Sequence, residues 1–284
     1  MRSVVITGIS TGIGYAAAKV LVDRGYRVFG SVRKQEDADR VSAELGEACV
    51  PLLFDVTDEA AITEAAAQVR EALDGETLAG LVNNAGIAVS GPLLDLRTDD
   101  YRWQMEVNLI GPFMVTKAFA PLLGADKDLE GPVGRVVNIS SVAGIRAMPF
   151  LGPYAASKFG LEGFSEALRR ELMLYGIDVV VIGPGPVKTA IWDKAEEIDV
   201  EQFQDSDYLP ILERFQSTFV AQGRDGYPAN RLGELIYKAL TTAKPETRYA
   251  AVKGRLAEKL VMRLASPRAL DKLIGNMLGL KPQR

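Results

Sequence analysis

A glycine-rich segment near the amino terminus constrains the fold of this chain more than any other feature. Thr7–Gly14 reads TGISTGIG and follows the apolar run Val4–Ile6, and a helical pattern over Gly14–Arg24 comes directly after it. Glycine permits turns with positive φ and lets backbone N–H groups approach a pyrophosphate closely. The free N–H groups at the start of a helix favour the negative phosphates. Strand, turn and helix together predict a dinucleotide site rather than a glycine-rich hairpin.

The rest of the chain repeats this alternation of short β-branched runs and longer helical patterns, which is typical of βαβ units around a parallel sheet. The pattern predicts strands near Ser3–Thr7, Arg27–Val32, Cys49–Phe54, Leu78–Asn83, Arg135–Ser140, Asp178–Ile182 and Arg248–Val252. It predicts helices near Gly14–Arg24, Ala38–Leu45, Glu59–Leu73, Thr98–Leu123 and Tyr154–Tyr175. We therefore expect an α/β fold, a doubly wound, Rossmann-type parallel sheet of about seven strands, as a single domain over residues 1–284.

Two segments depart from the alternation. From about residue 186 to 230 aromatic residues are scattered among acids, and a long insertion of this kind is more often a binding lid than slack chain. From about residue 253 to 284 a helical tail is predicted, with apolar positions at Leu256, Leu260, Leu264, Leu270, Leu273, Ile274 and Met277.

Composition excludes several classes of function. The net charge of -4 gives no reason to expect a nucleic-acid partner. The chain has no histidine and one cysteine, Cys49, so Ser-His-Asp and Cys-His mechanisms are excluded and no metal site is expected. One cysteine forms no internal disulfide, and with no signal peptide or membrane-length apolar run the chain is expected to be cytoplasmic.

The glycine spacing is Gly-x-x-x-Gly-x-Gly, and it resembles the short-chain dehydrogenase/reductase family. The resemblance runs in matching order from Ser3 to about Ile191 and implies cofactor contacts along the strand ends. Asp55-Val56 matches the adenine-binding position, Asn83-Asn84-Ala85-Gly86 a cofactor-contacting turn, and Pro184-Gly185 with Val187 and Thr189 the nicotinamide-amide contacts. The implied cofactor residues are Gly8, Ser10, Thr11, Gly12, Ile13, Gly14, Asp55, Val56, Asn83, Ala85, Gly86, Pro184, Gly185, Val187 and Thr189.

The end of the second predicted strand distinguishes the two nicotinamide cofactors. A carboxylate there bonds the ribose 2′-OH and repels a 2′-phosphate, whereas a guanidinium does the reverse. Here the acidic position of the family falls on Val32, and Arg33 and Lys34 follow it. The hydroxyls of Ser10, Thr11 and Ser31 would add donors. The sequence predicts NADP(H), with a solvated Arg33 as the alternative.

Tyr154-Ala155-Ala156-Ser157-Lys158 is a weak motif by itself, because Tyr15/Lys19 and Tyr249/Lys253 have the same spacing. Tyr249 and Lys253 lie on a predicted strand, where four residues span about 13 Å. Lys19 is expected on the outer surface of the first helix. Tyr154 and Lys158 lie one turn apart on one face of a helix that follows a strand, where an ammonium favours the phenolate.

The resemblance implies that Tyr154 exchanges a proton with the substrate oxygen, and that Lys158 lowers the tyrosine pKa and binds the nicotinamide ribose. It assigns substrate positioning to Ser141, with Ser140 as the alternative, and a water in the proton relay to Asn108. The implied reaction is hydride transfer between the nicotinamide and a ketone or secondary alcohol, with Ser141 and Tyr154 stabilising the oxyanion.

Apolar residues dominate the region expected to bind the substrate, and a large apolar cleft with few polar groups indicates a small-molecule substrate that is a lipophilic carbonyl or alcohol. They are Ile145, Met148, Phe150, Leu151, Ile191, Trp192, Phe203, Tyr208, Leu209, Ile211, Leu212, Phe215 and Phe219. The alternative is that half of them only pack the lid onto the core. Tyr154–Leu172 and Pro184–Ile191 are similar to the branch with 17β-hydroxysteroid and retinol dehydrogenases.

Partners follow from the tail and from the resemblance. The basic, amphipathic tail is expected to dock on its own core or on another subunit, with a membrane surface as the alternative. The resemblance implies a homodimer or homotetramer. Two other functions stay open: a sugar-nucleotide epimerase or dehydratase, disfavoured by the glycine spacing and the short C-terminal part, and a catalytically silent NADP-binding sensor or scaffold.

Overall fold

Nine strands are present in the computed structural model, which describes residues 1–189, 200–252 and 266–282. They are β1 Ser3–Ile6, β2 Arg27–Val32, β3 Cys49–Leu53, β4 Gly80–Asn83, β5 Arg135–Ile139, β6 Asp178–Pro184, β7 Val187–Lys188, β8 Tyr227–Pro228 and β9 Arg248–Ala251. Seven of them form one sheet in the order β3-β2-β1-β4-β5-β6-β9, with every pairing parallel. The predicted strands are confirmed to within two residues at each end.

Helices cover both faces of this sheet. They are α1 Gly12–Val22, α2 Gln35–Leu45, α3 Glu59–Leu73, α4 Thr98–Met105, α5 Gly111–Phe119, α6 Gly152–Glu171, α7 Leu209–Arg224, α8 Ala229–Thr241 and α9 Pro267–Leu278. Successive strand residues enter opposite core clusters: Val4 and Ile6 face the α1/α8 side, and Val5 faces the α3/α5 side. Burial on both faces explains why the strands are continuously apolar. The fold is the doubly wound α/β sheet that the sequence predicts.

The long helix predicted over Thr98–Leu123 is interrupted. α4 gives way to one π-helical turn at Glu106–Ile110, α5 follows, and a 3₁₀ turn ends the run at Ala120–Leu123. Pro112 lies just inside α5 and has no N–H to donate to residue 108, which helps to loosen the helical ladder at this point. Periodicity alone misses this break, because every residue around it still fits a helix.

Helix α8 was not predicted. It follows the insertion and packs on α1, where a Cβ atom at Gly233 would lie 2.8 Å from the carbonyl oxygen of Ala16. Its buried residues Leu232, Ile236 and Leu240 have helical spacing. The insertion itself is tied at its base, because β7 and β8 pair in parallel through Val187 with Tyr227 and Lys188 with Pro228.

The described parts of the lid and tail pack together. α7 and α9 enclose a third apolar cluster, which contains the buried residues Phe150, Leu151, Phe203, Leu212, Phe215 and Leu278. The tail from residue 266 therefore docks on its own lid. The candidate pocket residues Ile191 and Trp192, and the tail positions Leu256, Leu260 and Leu264, lie outside the described residues. Among the helices that are described, none is long and apolar enough to cross a membrane.

Candidate active site

The glycine turn has the backbone that the sequence predicts. Gly8 and Gly12 adopt φ values of 72° and 65°, in the left-handed region that favours glycine. A Cβ atom at Gly14 would lie 2.2 Å from the Gly8 carbonyl oxygen, so only glycine fits the start of α1. The side chain of Thr11, at the N-cap, makes no capping hydrogen bond. The first N–H groups of α1 thus have no side-chain cap and can bind a phosphate.

A second segment fixes this turn from the side. The amide Nδ2 of Asn84 donates to the carbonyl oxygens of Thr7 and Gly8 at 2.9 and 3.1 Å. Thr7 Oγ1 accepts from the N–H groups of Asn84 and Ala85 at 2.9 and 3.0 Å. The N–H of Gly8 donates to Ser31 Oγ at 2.9 Å. Asn84 was predicted as part of the turn after β4 but not as an individual cofactor residue, and these hydrogen bonds show that its side chain holds the glycine turn.

The opposite wall of the cleft comes from the chain after β6. A Cβ atom at Gly12 would lie 3.3 Å from Thr189 Cγ2, so the glycine turn and Thr189 face each other closely. The N–H of Gly185 donates to the Ala251 carbonyl oxygen at 2.9 Å, and Val187 is buried. A side chain at position 12 would press against Thr189, so glycine at this position keeps the start of α1 accessible to a phosphate.

Arg33, which follows β2, and Asp55, which follows β3, have side chains that lie next to each other. Arg33 Nη1 is 3.8 Å from Asp55 Oδ2, and the Arg33 side chain is 62% exposed. The other Asp55 oxygen accepts from the N–H and hydroxyl of Thr57 at 3.0 and 2.8 Å. Val32 is buried. An accessible guanidinium at the end of β2, with no acid at position 32, fits a ribose 2′-phosphate.

Asn83 and Val56 face away from the cleft. Asn83 Nδ2 donates to Thr116 Oγ1 at 3.0 Å and to Asn138 Oδ1 at 2.8 Å, and the residue is 3% exposed. Val56 is buried against Gly111. Their side chains therefore brace the sheet and its helices, and any contact with a cofactor is left to their backbones. Both assignments stay predictions.

Tyr154 and Lys158 meet at the first turns of α6. Lys158 Nζ lies 5.8 Å from the centroid of the Tyr154 ring and donates to the Ile139 carbonyl oxygen at 2.8 Å. The side chain of Ser141 lies close enough to the Tyr154 hydroxyl to lower its pKa. Ser140 Oγ is buried and has no hydrogen-bond partner within the described part of the chain. The geometry thus favours Ser141 over its neighbour.

Burial changes the proton affinity of both groups. It raises the pKa of Tyr154 above its ordinary value, and the hydrogen bond from Ser141 partly opposes this. Burial lowers the pKa of Lys158 to about 8, and the negative charge of Glu162 partly opposes that shift. At neutral pH the pair consists of a neutral phenol beside an ammonium, which suits proton donation to a substrate oxygen.

Asn108 lies in the π-helical turn and is fully buried. Its Oδ1 accepts from the Ile87 N–H at 2.9 Å, and its Nδ2 donates to the Ile87 carbonyl oxygen at 2.9 Å and to Ser157 Oγ at 3.3 Å. A Cβ atom at Gly86 would lie 3.2 Å from Asn108 Oδ1 and 3.8 Å from Lys158 Nζ. The four catalytic candidates are therefore assembled at one place, around the loop after β4.

The two decoy pairs are separate from this place. Lys19 is exposed and pairs with Asp23, whereas Tyr249 lies on β9 and its hydroxyl accepts from the Glu246 N–H. Lys253 falls outside the described residues. Across residues 1–189, 200–252 and 266–282, no three His, Cys, Asp or Glu side chains cluster as metal ligands would.

Comparison with known proteins agrees with this geometry. The family model described as short chain dehydrogenase matches residues 2–199, which is more than half of the chain and includes Asn108, Ser141, Tyr154 and Lys158. The chain belongs to the short-chain dehydrogenase family. All four candidate residues for the chemistry thus lie inside the segment that defines this family.

Members of the family resemble the chain along its length. A protein of Ornithobacterium rhinotracheale named NADPH-dependent 3-dehydrocapnine reductase is 38% identical over 96% of each chain. Retinol dehydrogenase 7 of Rattus norvegicus is 34% identical over 88% of this chain and 80% of its own. Among solved structures, a short-chain dehydrogenase from Streptomyces avermitilis superposes with a TM-score of 0.76 at 26% identity, over 99% and 98% of the two chains.

Proposed function

We propose that this short-chain dehydrogenase is an NADP(H)-dependent oxidoreductase that interconverts a ketone and a secondary alcohol, and that it acts in cells as a ketone reductase. The observation that carries the proposal is the convergence of Ser141, Tyr154 and Lys158 beside the glycine cleft. When bound, the nicotinamide supplies or accepts the hydride. The rest of the chemistry belongs to the side chains.

In the reducing direction, the substrate carbonyl oxygen is bound between the hydroxyls of Ser141 and Tyr154. As negative charge develops on that oxygen, Tyr154 donates its proton and Ser141 donates a hydrogen bond. The Lys158 ammonium stabilises the phenolate that is left on Tyr154. Asn108 fixes the loop after β4 through both backbone groups of Ile87, and we assign it the relay position through which Tyr154 regains a proton.

Preference for the phosphorylated cofactor is supported at the end of β2. Arg33 is exposed and Val32 replaces the acid that would repel a 2′-phosphate. Arg40 Nη2 also donates to the Ser10 carbonyl oxygen at 2.6 Å, which holds α2 against the glycine turn. The relative named as an NADPH-dependent reductase supports the same choice.

The substrate is proposed to be lipophilic. The chain between Ser141 and Tyr154 contributes Phe150 and Leu151 to the apolar cluster under the lid, so the side of the site opposite the cofactor cleft is apolar. Two relatives are named as a 3-dehydrocapnine reductase and a retinol dehydrogenase. The compounds in these two names are therefore the first substrates to test. Phe150, Leu151, Phe203, Leu212 and Phe215 are buried in this cluster, so packing of the lid onto the core stays the alternative role for them.

We also propose a cytoplasmic homodimer or homotetramer. Ile110 at the end of the π-helical turn, Phe113 on α5 and Phe159 on α6, which we call the α5–α6 face, are 39%, 49% and 47% exposed. Large exposed apolar side chains on adjoining helical segments are typical of a subunit interface. The chain has one cysteine, Cys49, which is buried and free and can form no internal disulfide, as is typical of proteins of a reducing compartment.

The proposed function is tested by incubating the protein with NADPH and a panel of ketones and aldehydes that includes 3-dehydrocapnine and retinal, and following absorbance at 340 nm. Tyr154→Phe should lower kcat by about 10³-fold and leave the NADPH dissociation constant within about threefold, because the phenol acts mainly in the transition state. NADPH binding without turnover of any compound would instead favour the silent sensor.

A further inference from the structure

Helix α6 carries one more charged group on the face of Tyr154 and Lys158. Glu162 follows Lys158 by one turn, and Arg248 of β9 reaches it from the edge of the sheet. Arg248 Nε lies 3.1 Å from both carboxylate oxygens, and its Nη2 lies 3.0 Å from one of them. The two side chains are 25% and 19% exposed. A forked, mostly buried ion pair thus lies directly behind the catalytic lysine.

The same guanidinium holds the segment that contains the catalytic serine. Arg248 Nη2 donates to the Ser141 carbonyl oxygen at 3.3 Å. It passes over Gly183 of β6, where a Cβ atom would lie 2.2 Å from Nη2. On the other side, a Cβ atom at Gly144 would lie 3.0 Å from Glu162 Cγ. The short turn that begins at Ser141 is therefore held between the arginine and the glutamate.

The pair also shapes the electrostatic surroundings of Lys158. Lys158 is 5% exposed, and the titratable groups near it are Tyr154 and Glu162 on its own helix and Arg248 from β9. β5 presents the Ile139 carbonyl oxygen, and the loop after β4 presents Gly86. Glu162 acts against the effect of burial and raises the pKa of Lys158. Its carboxylate is the negative charge that favours the ammonium form.

We propose that Glu162 and Arg248 are positioning residues of the active site: Arg248 fixes the Ser141 turn, and Glu162 supplies the negative charge beside the Lys158 ammonium. The inference rests on the proposed function for its kinetic consequence. This arrangement requires glycine at position 183, because any side chain there would displace the Arg248 guanidinium.

The kinetic test compares Glu162→Gln with Glu166→Gln, a control on the exposed side of α6 whose carboxylate pairs with Arg170. We expect Glu162→Gln to lower kcat about tenfold and to move the high-pH limb of its pH profile down by about half a unit to one unit. Arg248→Lys keeps the positive charge but loses the bidentate contact with the carboxylate. Its kcat should therefore lie between those of wild type and Arg248→Met. In the Glu162→Gln/Arg248→Met double variant, the loss of kcat should be smaller than the product of the losses in the two single variants.

A second readout needs no substrate. Because the folded-state pKa of Lys158 lies below its unfolded value, the unfolded chain binds the proton more tightly, and stability rises with pH between the two values. In Glu162→Gln this rise should begin at a lower pH than in wild type, and Lys158→Met should abolish it in both backgrounds. Urea unfolding of the cofactor-free protein from pH 6.5 to 10 measures how the free energy of unfolding changes with pH.

The two readouts separate the possible failures. If no carbonyl is turned over by wild type but the stability profile of Glu162→Gln shifts as stated, the proposed function fails and the electrostatic role of Glu162 survives. If Glu162→Gln and Glu166→Gln share the wild-type pH profiles of kcat and of stability, Glu162 and Arg248 only hold the fold together, and the inference is overturned.

Discussion

At the scale of residues, the glycine turn requires that position 14 carries no side chain. Gly14 has two atoms within 2.4 Å of where a Cβ would stand, the Gly8 carbonyl oxygen and Asn84 Nδ2, whereas Gly163 on α6 has none within 4 Å. Neither residue has a positive φ, so the two differ in space and not in backbone strain. The pair therefore separates the effect of a close approach from the general preference of helices for alanine.

We expect Gly14→Ala to weaken NADPH binding by about 10- to 100-fold, because accommodating the methyl costs about 1–3 kcal/mol and displaces the turn. Gly163→Ala should instead stabilise the protein by about 0.5–1 kcal/mol and leave binding unchanged. Nicotinamide fluorescence titration and urea unfolding measure the two effects. Equal NADPH affinity in both variants would show that the close contact at Gly14 is unimportant.

Among single residues, the sequence predicted those whose constraint is local. Gly8, Gly12 and Gly14 were predicted because their constraint is local: a turn, a helix start and a strand within a few residues. The Asn83 side chain points into the sheet and Asn84 holds the turn, a choice made by contacts with Thr116 and Thr7. Such contacts join segments far apart in the chain, so periodicity does not contain them.

At the scale of elements, the tail helix α9 packs on the insertion that we propose as a lid. Leu278 is 4% exposed and belongs to the apolar cluster around Phe150 and Phe215, whereas its neighbour Met277 is 58% exposed. The Phe150 and Phe215 ring centroids are 5.4 Å apart. The lid therefore rests on a helix that comes from the far end of the chain.

Leu278→Ala should weaken this packing by about 2–5 kcal/mol, while Met277→Ala should change stability by less than about 0.5 kcal/mol. Because the lid borders the proposed substrate side, we expect KM for an apolar ketone to rise about tenfold in Leu278→Ala with NADPH affinity unchanged. Hydrogen exchange of α7 and steady-state kinetics provide the measurements. A similar KM in the two variants would contradict a role for α9 in the lid.

Strands and helices of the sheet were predicted well because their burial on two faces imposes continuous apolar runs and amphipathic periods. The π-helical turn around Asn108 and helix α8 were missed for different reasons. The π turn combines a local signal, Pro112, with hydrogen bonds between Asn108 and Ile87, which lie 21 residues apart and which no local pattern encodes. The apolar positions of α8 have helical spacing, but no element was predicted between the end of the insertion near residue 230 and the strand that begins at Arg248.

For the whole molecule, the α5–α6 face is where association is expected. Phe113 packs edge-to-face on Phe164 at 6.4 Å between ring centroids and still leaves 49% of its surface exposed. Leu53, on the edge strand β3, is 56% exposed. It serves as a control of similar exposure away from α5 and α6.

Phe113→Glu should raise the dissociation constant of the oligomer by at least about 100-fold, because it places a charge at the centre of an apolar interface. Leu53→Glu should leave the oligomer intact. Analytical ultracentrifugation over a range of concentrations distinguishes the two. A monomeric wild type, or an oligomer that tolerates Phe113→Glu, would exclude this face as the interface.

The short parallel pairing of β7 with β8 has an evolutionary consequence. It closes the base of the insertion between Lys188 and Tyr227, so the ends of the loop stay adjacent whatever lies between them. The family model stops at residue 199, inside that loop. The segment between the two strands, which we propose as a lid, is thus expected to tolerate changes of sequence without displacing Ser141, Tyr154 and Lys158, which all lie outside it.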